Sequence, residues 1–333
     1  MNESVLSFKD KYFGDKNFYK MTLTIAIPII IQNLLTNLVS MADNIMVGQL
    51  GTNQMSGVAI INQLFFVFNL LVFGGMSGAG LFSAQYFGQK NHNGVRDVFR
   101  MKILIGITII AISLSVMIFL HEPLINMFLH EGSSSGNIQE TFNYAKNYLY
   151  IMVIGIAPFV ISNCYNTTLK ESGQTVVPMK AGVLAVVFDI VLNYIFIFGK
   201  LGFPAMGVVG AAIATVISRF VECGYLVIYT HIHSNDYPFI KHCYRTLKVP
   251  GSLVKKIIIT GAPLMLNEFL WAGGLTLQTQ ALSTKGLATV GGLNICNTIG
   301  NISNCIFVTM GTTIAIVVGQ LLGAGKLKEA KVT

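Results

Sequence analysis

The chain has 333 residues, of which 53% are hydrophobic and 11% charged, and it carries a net charge of +8. Soluble domains carry about 25% charged residues, and the mean hydropathy here is +0.64. An ordinary soluble enzyme, a nucleic-acid-binding domain and a disordered segment are thereby excluded.

Residues 1–20 hold Lys9, Lys11, Lys16 and Lys20 without an apolar core, so they read as a cytoplasmic tail and not a cleavable signal. From Met21 to Gln89 the only charged residue is Asp43. A bilayer crossing needs roughly 20 apolar residues. Segments near 21–46, 56–87, 102–121, 140–168, 177–199, 206–230, 253–282 and 290–322 qualify, which predicts an all-α integral membrane protein with eight crossings. The first carries Pro28 and a polar stripe of Gln32, Asn33, Thr36, Asn37, Ser40, Asp43 and Asn44. Thr36, Ser40 and Asp43 share a face by three- and four-residue spacing, and Pro28 is expected to bend the helix below it. In the second segment Gly74 and Gly78, then Gly80, Ala84 and Gly88, repeat at four, a spacing that permits close helix contact. The fifth places Asp189 and Asn193 one turn apart, offering oxygen ligands to a desolvated cation or a site for a proton. The sixth holds Arg219 and Glu222, which are expected to pair. The seventh carries Glu268 and Gln278 beyond Pro263, a second hinge. Gln32, Asn33, Thr36, Asn37, Ser40, Glu268 and Gln278 are expected to line a substrate cavity; Asp43, Asp189 and Asn193 are expected to couple a cation or proton. Charge inside a membrane is costly and marks function.

Eighteen of the 22 lysines and arginines fall in the tail, at the far end, or between segments two and three, four and five, and six and seven. Lys102 and Lys170 are counted among those loop residues. The other side holds only Lys146, Lys200 and Lys285, so the N-terminus is expected in the cytoplasm. Shifting the sequence by 235 aligns 21–88 with 256–323 without a gap, matching Pro28 with Pro263, Asn69 with Asn304, Gln85 with Gln320 and Gly88 with Gly323. Six segments intervene, so the repeat is parallel, with a pseudo-two-fold axis along the membrane normal. This divides the chain into a tail (1–20), a six-helix N-lobe (21–235), an inter-lobe loop (236–252) and a partial second lobe (253–333). The second copy has two segments against six, so the chain reads as a C-terminally truncated twelve-helix transporter.

Five cysteines (Cys164, Cys223, Cys243, Cys296, Cys305) at irregular spacing read as packing residues, and His231, His233, His242 and Cys243 match no common zinc pattern. Asn166-Thr167-Thr168 and Asn301-Ile302-Ser303 fit the glycosylation pattern but lie at or within apolar segments. No nucleophile stands with a base, and no metal beyond a possible sodium ion, cofactor or nucleic-acid partner is implied.

Pro28-Ile29-Ile30-Ile31-Gln32-Asn33 through Met41-Ala42-Asp43-Asn44-Ile45-Met46-Val47-Gly48 resembles the first helix of multidrug and toxic compound extrusion (MATE) transporters. Lys170-Glu171-Ser172-Gly173-Gln174-Thr175 with Pro178, Leu192-Asn193-Tyr194-Ile195-Phe196-Ile197-Phe198-Gly199, and Gly207-Val208-Val209-Gly210-Ala211-Ala212 look like later segments of that family. Pro263 with Leu266-Asn267-Glu268-Phe269-Leu270-Trp271 resembles the seventh helix of a bacterial branch. The resemblance extends from about residue 18 to near the end. It implies two six-helix lobes around a central cavity in the plasma membrane, and export of organic, often cationic, compounds in exchange for sodium ions or protons by a protein acting as a monomer. The family's first-helix aspartate falls on Asp43. Many members carry asparagine then aspartate four apart in the fifth helix, whereas Asp189 here precedes Asn193. Two rivals remain at this stage. A lipid-linked saccharide flippase of related architecture would call for cationic groups in the N-lobe, where the buried charges are mainly acidic. Alternatively, the chain is a fragment that transports nothing alone.

Overall fold

A computed structural model describes residues 16–129, 137–283 and 287–332. Among these the regular structure is helical: α1 (Lys16–Gly48), α2 (Thr52–Gly88), α3 (His92–Phe119), the short α4 (His121–Asn126), α5 (Ile138–Ile154), α6 (Ile156–Glu171), α7 (Val176–Phe198), α8 (Val208–Ile232), α9 (Gly251–Ser283), α10 (Leu287–Gly323) and the short α11 (Leu327–Val332). Each of the eight expected segments coincides with a long helix or helix pair. Among the described residues six helices are long and apolar enough to cross a bilayer, or seven if the bent pair α5–α6 is one span; the described part of α9 is not among them. Large apolar side chains such as Leu38, Phe73, Ile112, Val191 and Phe307 are exposed, as expected of helices that cross a bilayer.

Local chemistry sets the boundaries. The Asn91 side chain caps α3 by accepting from Gly94 N at 2.9 Å, and Asn137 caps α5 by accepting from Gln139 N and Glu140 N. Such caps contribute about 1 kcal/mol each. Gly199 ends α7 in the left-handed region (φ 66). α1 and α9 run through Pro28 and Pro263 without interruption. Segment four is two helices meeting at 47° around Gly155, not one straight crossing.

α2 is the hub, packing on α3, α5, α6, α9 and α10. Its Ile61, Phe65, Phe68, Val72 and Met76 form one core with Phe99, Leu149, Ile156, Val160, Tyr165 and Leu169. Its glycines admit α9 and α10. A Cβ at Gly78 would lie 2.4 Å from Gly261 Cα, and one at Gly74 3.0 Å from Met265 Cγ. A Cβ at Gly88 would lie 2.0 Å from Gln320 O, and one at Gly323 2.0 Å from Gln85 O. Ala84 Cβ faces Gly319. These partners are the same residues shifted by 235: each of 85 and 88 meets the other's counterpart, and 84 meets its own. That reciprocity is what a two-fold relation between α2 and α10 requires. Gly286 and the side chains of Ile295 and Asn297, other matches in the repeat, lie outside the described residues.

Several charged residues sit differently from their expected places. Lys102 lies within α3, wholly buried, and Lys170 lies within α6 rather than in a loop. Lys102 Nζ donates to Glu171 Oε2 at 2.6 Å, Thr167 Oγ1 at 3.0 Å and Thr168 Oγ1 at 3.2 Å, which satisfies all three of its protons. No ion pair joins Arg219 to Glu222 among the described residues. The Arg219 guanidinium stacks instead between the rings of Phe65 and Phe159, 5.4 and 5.0 Å from their centroids. His231 belongs to the last turn of α8 and stacks on Tyr244, whose hydroxyl meets that of Tyr165. Cys164, Cys223, Cys243 and Cys305 are free thiols, and the side chain of Cys296 lies outside the described residues.

Candidate functional site

The seam between α1 and α7 brings together Asp43, Asp189 and Asn193. Their helices pack side by side, and α7 in turn packs on α8. Asn193, fully buried, donates from one Nδ2 to two carboxylates: Asp43 Oδ1 at 2.7 Å and Asp189 Oδ2 at 3.1 Å. Ser218 Oγ of α8 lies 3.1 Å from Asp189 Oδ1 and 2.8 Å from Thr215 O. Three helices therefore meet at one pair of carboxyl groups. Asp189 is 4% exposed, which leaves water little part in balancing its charge.

The local geometry follows from helical spacing. Asp189 and Asn193 stand one turn apart, so the amide lies along the same face as the carboxylate. Gly182, two turns earlier on α7, leaves room for Gln32 of α1; a Cβ there would lie 3.1 Å from Gln32 Cγ. The same seam thus admits Gln32, three turns before Asp43 on α1. Two buried acceptors in it have no partner among the described residues: Asn193 Oδ1 and Gln32 Oε1. An unmatched buried oxygen costs about 1–3 kcal/mol, so both are suited to a ligand with positive charge or a proton to donate. Two carboxylates sharing one amide donor also repel one another in a medium of low dielectric constant. A proton or a small cation relieves that repulsion. The available ligands are all oxygens, from Asp43, Asp189 and Asn193, a set suited to hard cations.

The polar stripe of α1 divides between several tasks. Asn33 Nδ2 donates to Thr309 Oγ1 of α10 at 2.9 Å, and Asn37 lies beside Cys305 one turn away on the same helix. Thr36 Oγ1 donates to Gln32 O, and Ser40 Oγ donates to Thr36 O, so each hydroxyl is turned to its own helix. Thr36, Asn37 and Ser40 are exposed. Glu268, half-buried, and Gln278, exposed, stand on α9, which packs on α2 and α10; neither belongs to the bonded carboxylate cluster. A cleft of about 340 Å³ opens at another place, between Lys20, Met21, Thr24, Ile25, Gly173 and Gln320, towards the N-terminal end of α1.

Ser218 was not singled out from the sequence. It lies 29 positions from Asp189 in another apolar helix, and a lone serine there has the same appearance as one bonded to its own backbone. The neighbouring Arg219 was the only available signal, since a cation in a span implies nearby acceptors.

Comparison with known proteins places this geometry in a wider set. The family model described as MatE matches residues 28–195, just over half of the chain and including Asp43, Asp189 and Asn193. The chain is 29% identical over 306 residues to a probable multidrug resistance protein NorM of Thermotoga maritima, and covers 64% of that protein. It is 28% identical over 319 residues to the NorM protein of Halalkalibacterium halodurans, covering 66% of it. The chain thus spans a little under two thirds of the length of these relatives. Among solved structures, an outward-facing multidrug resistance MATE family transporter superposes with a TM-score of 0.82 at 22% identity, over 96% of this chain and 68% of the other. A MATE crystal structure in a bent conformation gives 0.79 at 24% identity, over 94% of this chain and 67% of the other. At these identities the superpositions speak for a shared fold.

Proposed function

The chain belongs to the MatE family, a family of multi-pass membrane transporters and not enzymes, and from that premise we propose that it works as a secondary antiporter. In this reading it exports organic, drug-like cations in exchange for sodium ions or protons by alternating access. The observation that carries the reading is the shared amide of Asn193 between Asp43 and Asp189, with an unmatched oxygen on the same side chain. A site built this way changes charge when it loads, and a change of charge inside a membrane can drive a conformational change.

Asp43 and Asp189 bind the coupling ion, and Asn193 holds the two carboxyl groups in register. Sodium, if it is that ion, lies among the carboxylate oxygens and Asn193 Oδ1. Loading removes the repulsion along the α1–α7 seam and lets α1 repack or bend near Pro28, which alters the cavity bordered by its polar face. The buried charges at this seam are acidic, which favours a cationic cargo over a pyrophosphate-linked one. The N-terminus faces the cytoplasm, because lysine and arginine collect at that end of the helices. Residues 21–235 belong to one lobe and 253–333 to a second. The reciprocal contacts of Gln85 and Gly88 with Gly323 and Gln320 support that division.

The test is extrusion of a cationic fluorescent dye from right-side-out vesicles holding the full natural protein. Efflux should follow an imposed sodium or proton gradient and stop when the gradient is collapsed. Efflux indifferent to both gradients would remove the antiport reading.

A further inference from the structure

Helix α1 carries two polar seams, and the carboxylate pair uses one of them. The helix packs on both α7 and α10. Towards α7 stand Asp43 and Gln32. Towards α10 stands Asn33, whose Nδ2 donates to Thr309 Oγ1 at 2.9 Å. Thr309 is wholly buried, and its own hydroxyl proton goes to Cys305 O at 2.7 Å, so its oxygen is left to accept. Nearer the start of α1, Ile25 and Ile29 pack on Ile316 and Val317 of α10. Positions 25, 29 and 33 thus meet 317, 316 and 309 in falling order, and the bond closes an antiparallel seam.

No proline or glycine interrupts α1 between Ile29 and Val47, so that stretch moves as one rod above Pro28. Asn33 and Asp43 stand ten residues apart on the rod, about 15 Å along its axis and about 80° round it. A bend at Pro28 that shifts Asp43 against α7 therefore shifts Asn33 against α10 as well. In a membrane interior no water replaces a broken interhelical bond, so α10 either follows or the bond is lost at a cost. The repeat shows that this tie is one-sided. A shift of 235 turns Asn33 into Glu268 of α9 and Thr309 into Gly74 of α2. Glycine offers no hydroxyl, and a Cβ at Gly74 would lie 3.0 Å from Met265 Cγ. Where α9 crosses α2 the contact is a smooth glycine face; where α1 crosses α10 a hydrogen bond joins the helix that carries Asp43 to the second lobe.

We propose that Asn33 is a positioning residue that passes loading of the Asp43–Asp189 pair to the second lobe through Thr309. The inference rests on those carboxylates being the coupling site of an alternating-access antiporter. Asn33 acts through its bond to α10 and not by holding the ion.

The experiment uses the full natural protein and its variants in proteoliposomes. Equilibrium uptake of radiolabelled sodium and of protons is measured beside the rate of gradient-driven dye movement over a range of dye concentrations. Asn33→Leu and Thr309→Val should each leave ion uptake at the natural level. Each should lower the maximal rate by about fivefold or more, with the half-saturating dye concentration unchanged. The double variant should be no slower than the slower single one, since both changes remove the same bond. Thr309→Ser keeps the hydroxyl and should stay near the natural rate. The inference is overturned if either single variant transports at the natural rate, if the two losses multiply, or if Thr309→Ser is as slow as Thr309→Val. Loss of ion uptake in Asn33→Leu would also overturn it, by placing Asn33 at the ion site. A rise confined to the half-saturating dye concentration would do the same, by making Asn33 a cargo contact. Asp43→Asn is run alongside. If that variant keeps gradient-driven transport at the natural rate, the coupling-site reading itself fails, and this inference with it.

Discussion

Substitution of Gly88 by valine should separate α2 from α10 at their C-terminal ends. A Cβ there would lie 2.0 Å from Gln320 O, 2.8 Å from Gln320 C and 2.9 Å from Gln320 Cα. All three are backbone atoms of a continuous helix, so no side chain can swing aside. Ordinary carbon–oxygen contact needs roughly 3.4 Å or more, and the helices must part by more than about 1 Å. Overpacking of this kind costs about 1–3 kcal/mol. Gly323→Val meets the mirror arrangement, with Gln85 O at 2.0 Å and Gln85 C at 2.7 Å, and should cost a similar amount. The two changes should not add. Once either one has forced the helices apart, the second enters space already opened, so the double variant should cost clearly less than the sum. Thermal unfolding in detergent, followed by reaction of newly exposed thiols, gives the three values. A neutral single variant, or strict additivity of the pair, would refute the reciprocal packing deduced here.

Three further outcomes follow from the same coordinates. Lys102→Met should destabilise by about 3–5 kcal/mol, because Glu171 is left buried and unpaired, whereas Lys102→Met with Glu171→Leu should recover most of that loss; denaturation of the single and double variants in detergent decides it. Asn193→Leu removes the donor shared by Asp43 and Asp189, each bond being worth about 1.5–3 kcal/mol for a charged acceptor. It should weaken cation binding at least tenfold, and an unchanged sodium or proton affinity would count against the site. Cys243, in the connection between α8 and α9, is fully buried, and burial pushes its thiol up to about 11 against the lowering influence of Arg100. An unfolded thiol titrates near about 8.5, so the unfolded state loses its proton first. Stability from this group should fall as pH rises from there towards 11, and maleimide should label Cys243 at neutral pH only after unfolding.

Much of the fold was legible because a bilayer imposes a simple rule. The long uncharged runs are the long helices, and their ends agree with the structure to within a few residues where Asn137 and Gly199 supply chemical stops, whereas α3 starts ten residues before the expected 102, at the Asn91 cap. Spacing also placed Asp189 with Asn193 and singled out Asp43, and the structure joins the three. What escaped depends on tertiary detail. The 47° break at Gly155 was not read from the sequence, because it comes where room is needed for a side chain 64 positions away. Thr36 and Ser40 share a face with Asp43 but bond to their own helix, because a hydroxyl satisfied by the carbonyl four residues back has no need of a partner. Lys102 looked like a loop cation since it stands beside a basic stretch. Three donated bonds inside the bundle hold it there instead, and no local pattern announces the distant Glu171. Arg219 and Glu222 have the spacing of a pair, but two aromatic rings from other helices claim the guanidinium.

The most direct test of the account is neutralisation of the two carboxylates one at a time. In proteoliposomes of the full natural protein, Asp43→Asn and Asp189→Asn should each abolish dye movement driven by a sodium or proton gradient, while dye binding at equilibrium persists. Gradient-driven transport at the natural rate in either variant would contradict a coupling site at the α1–α7 seam.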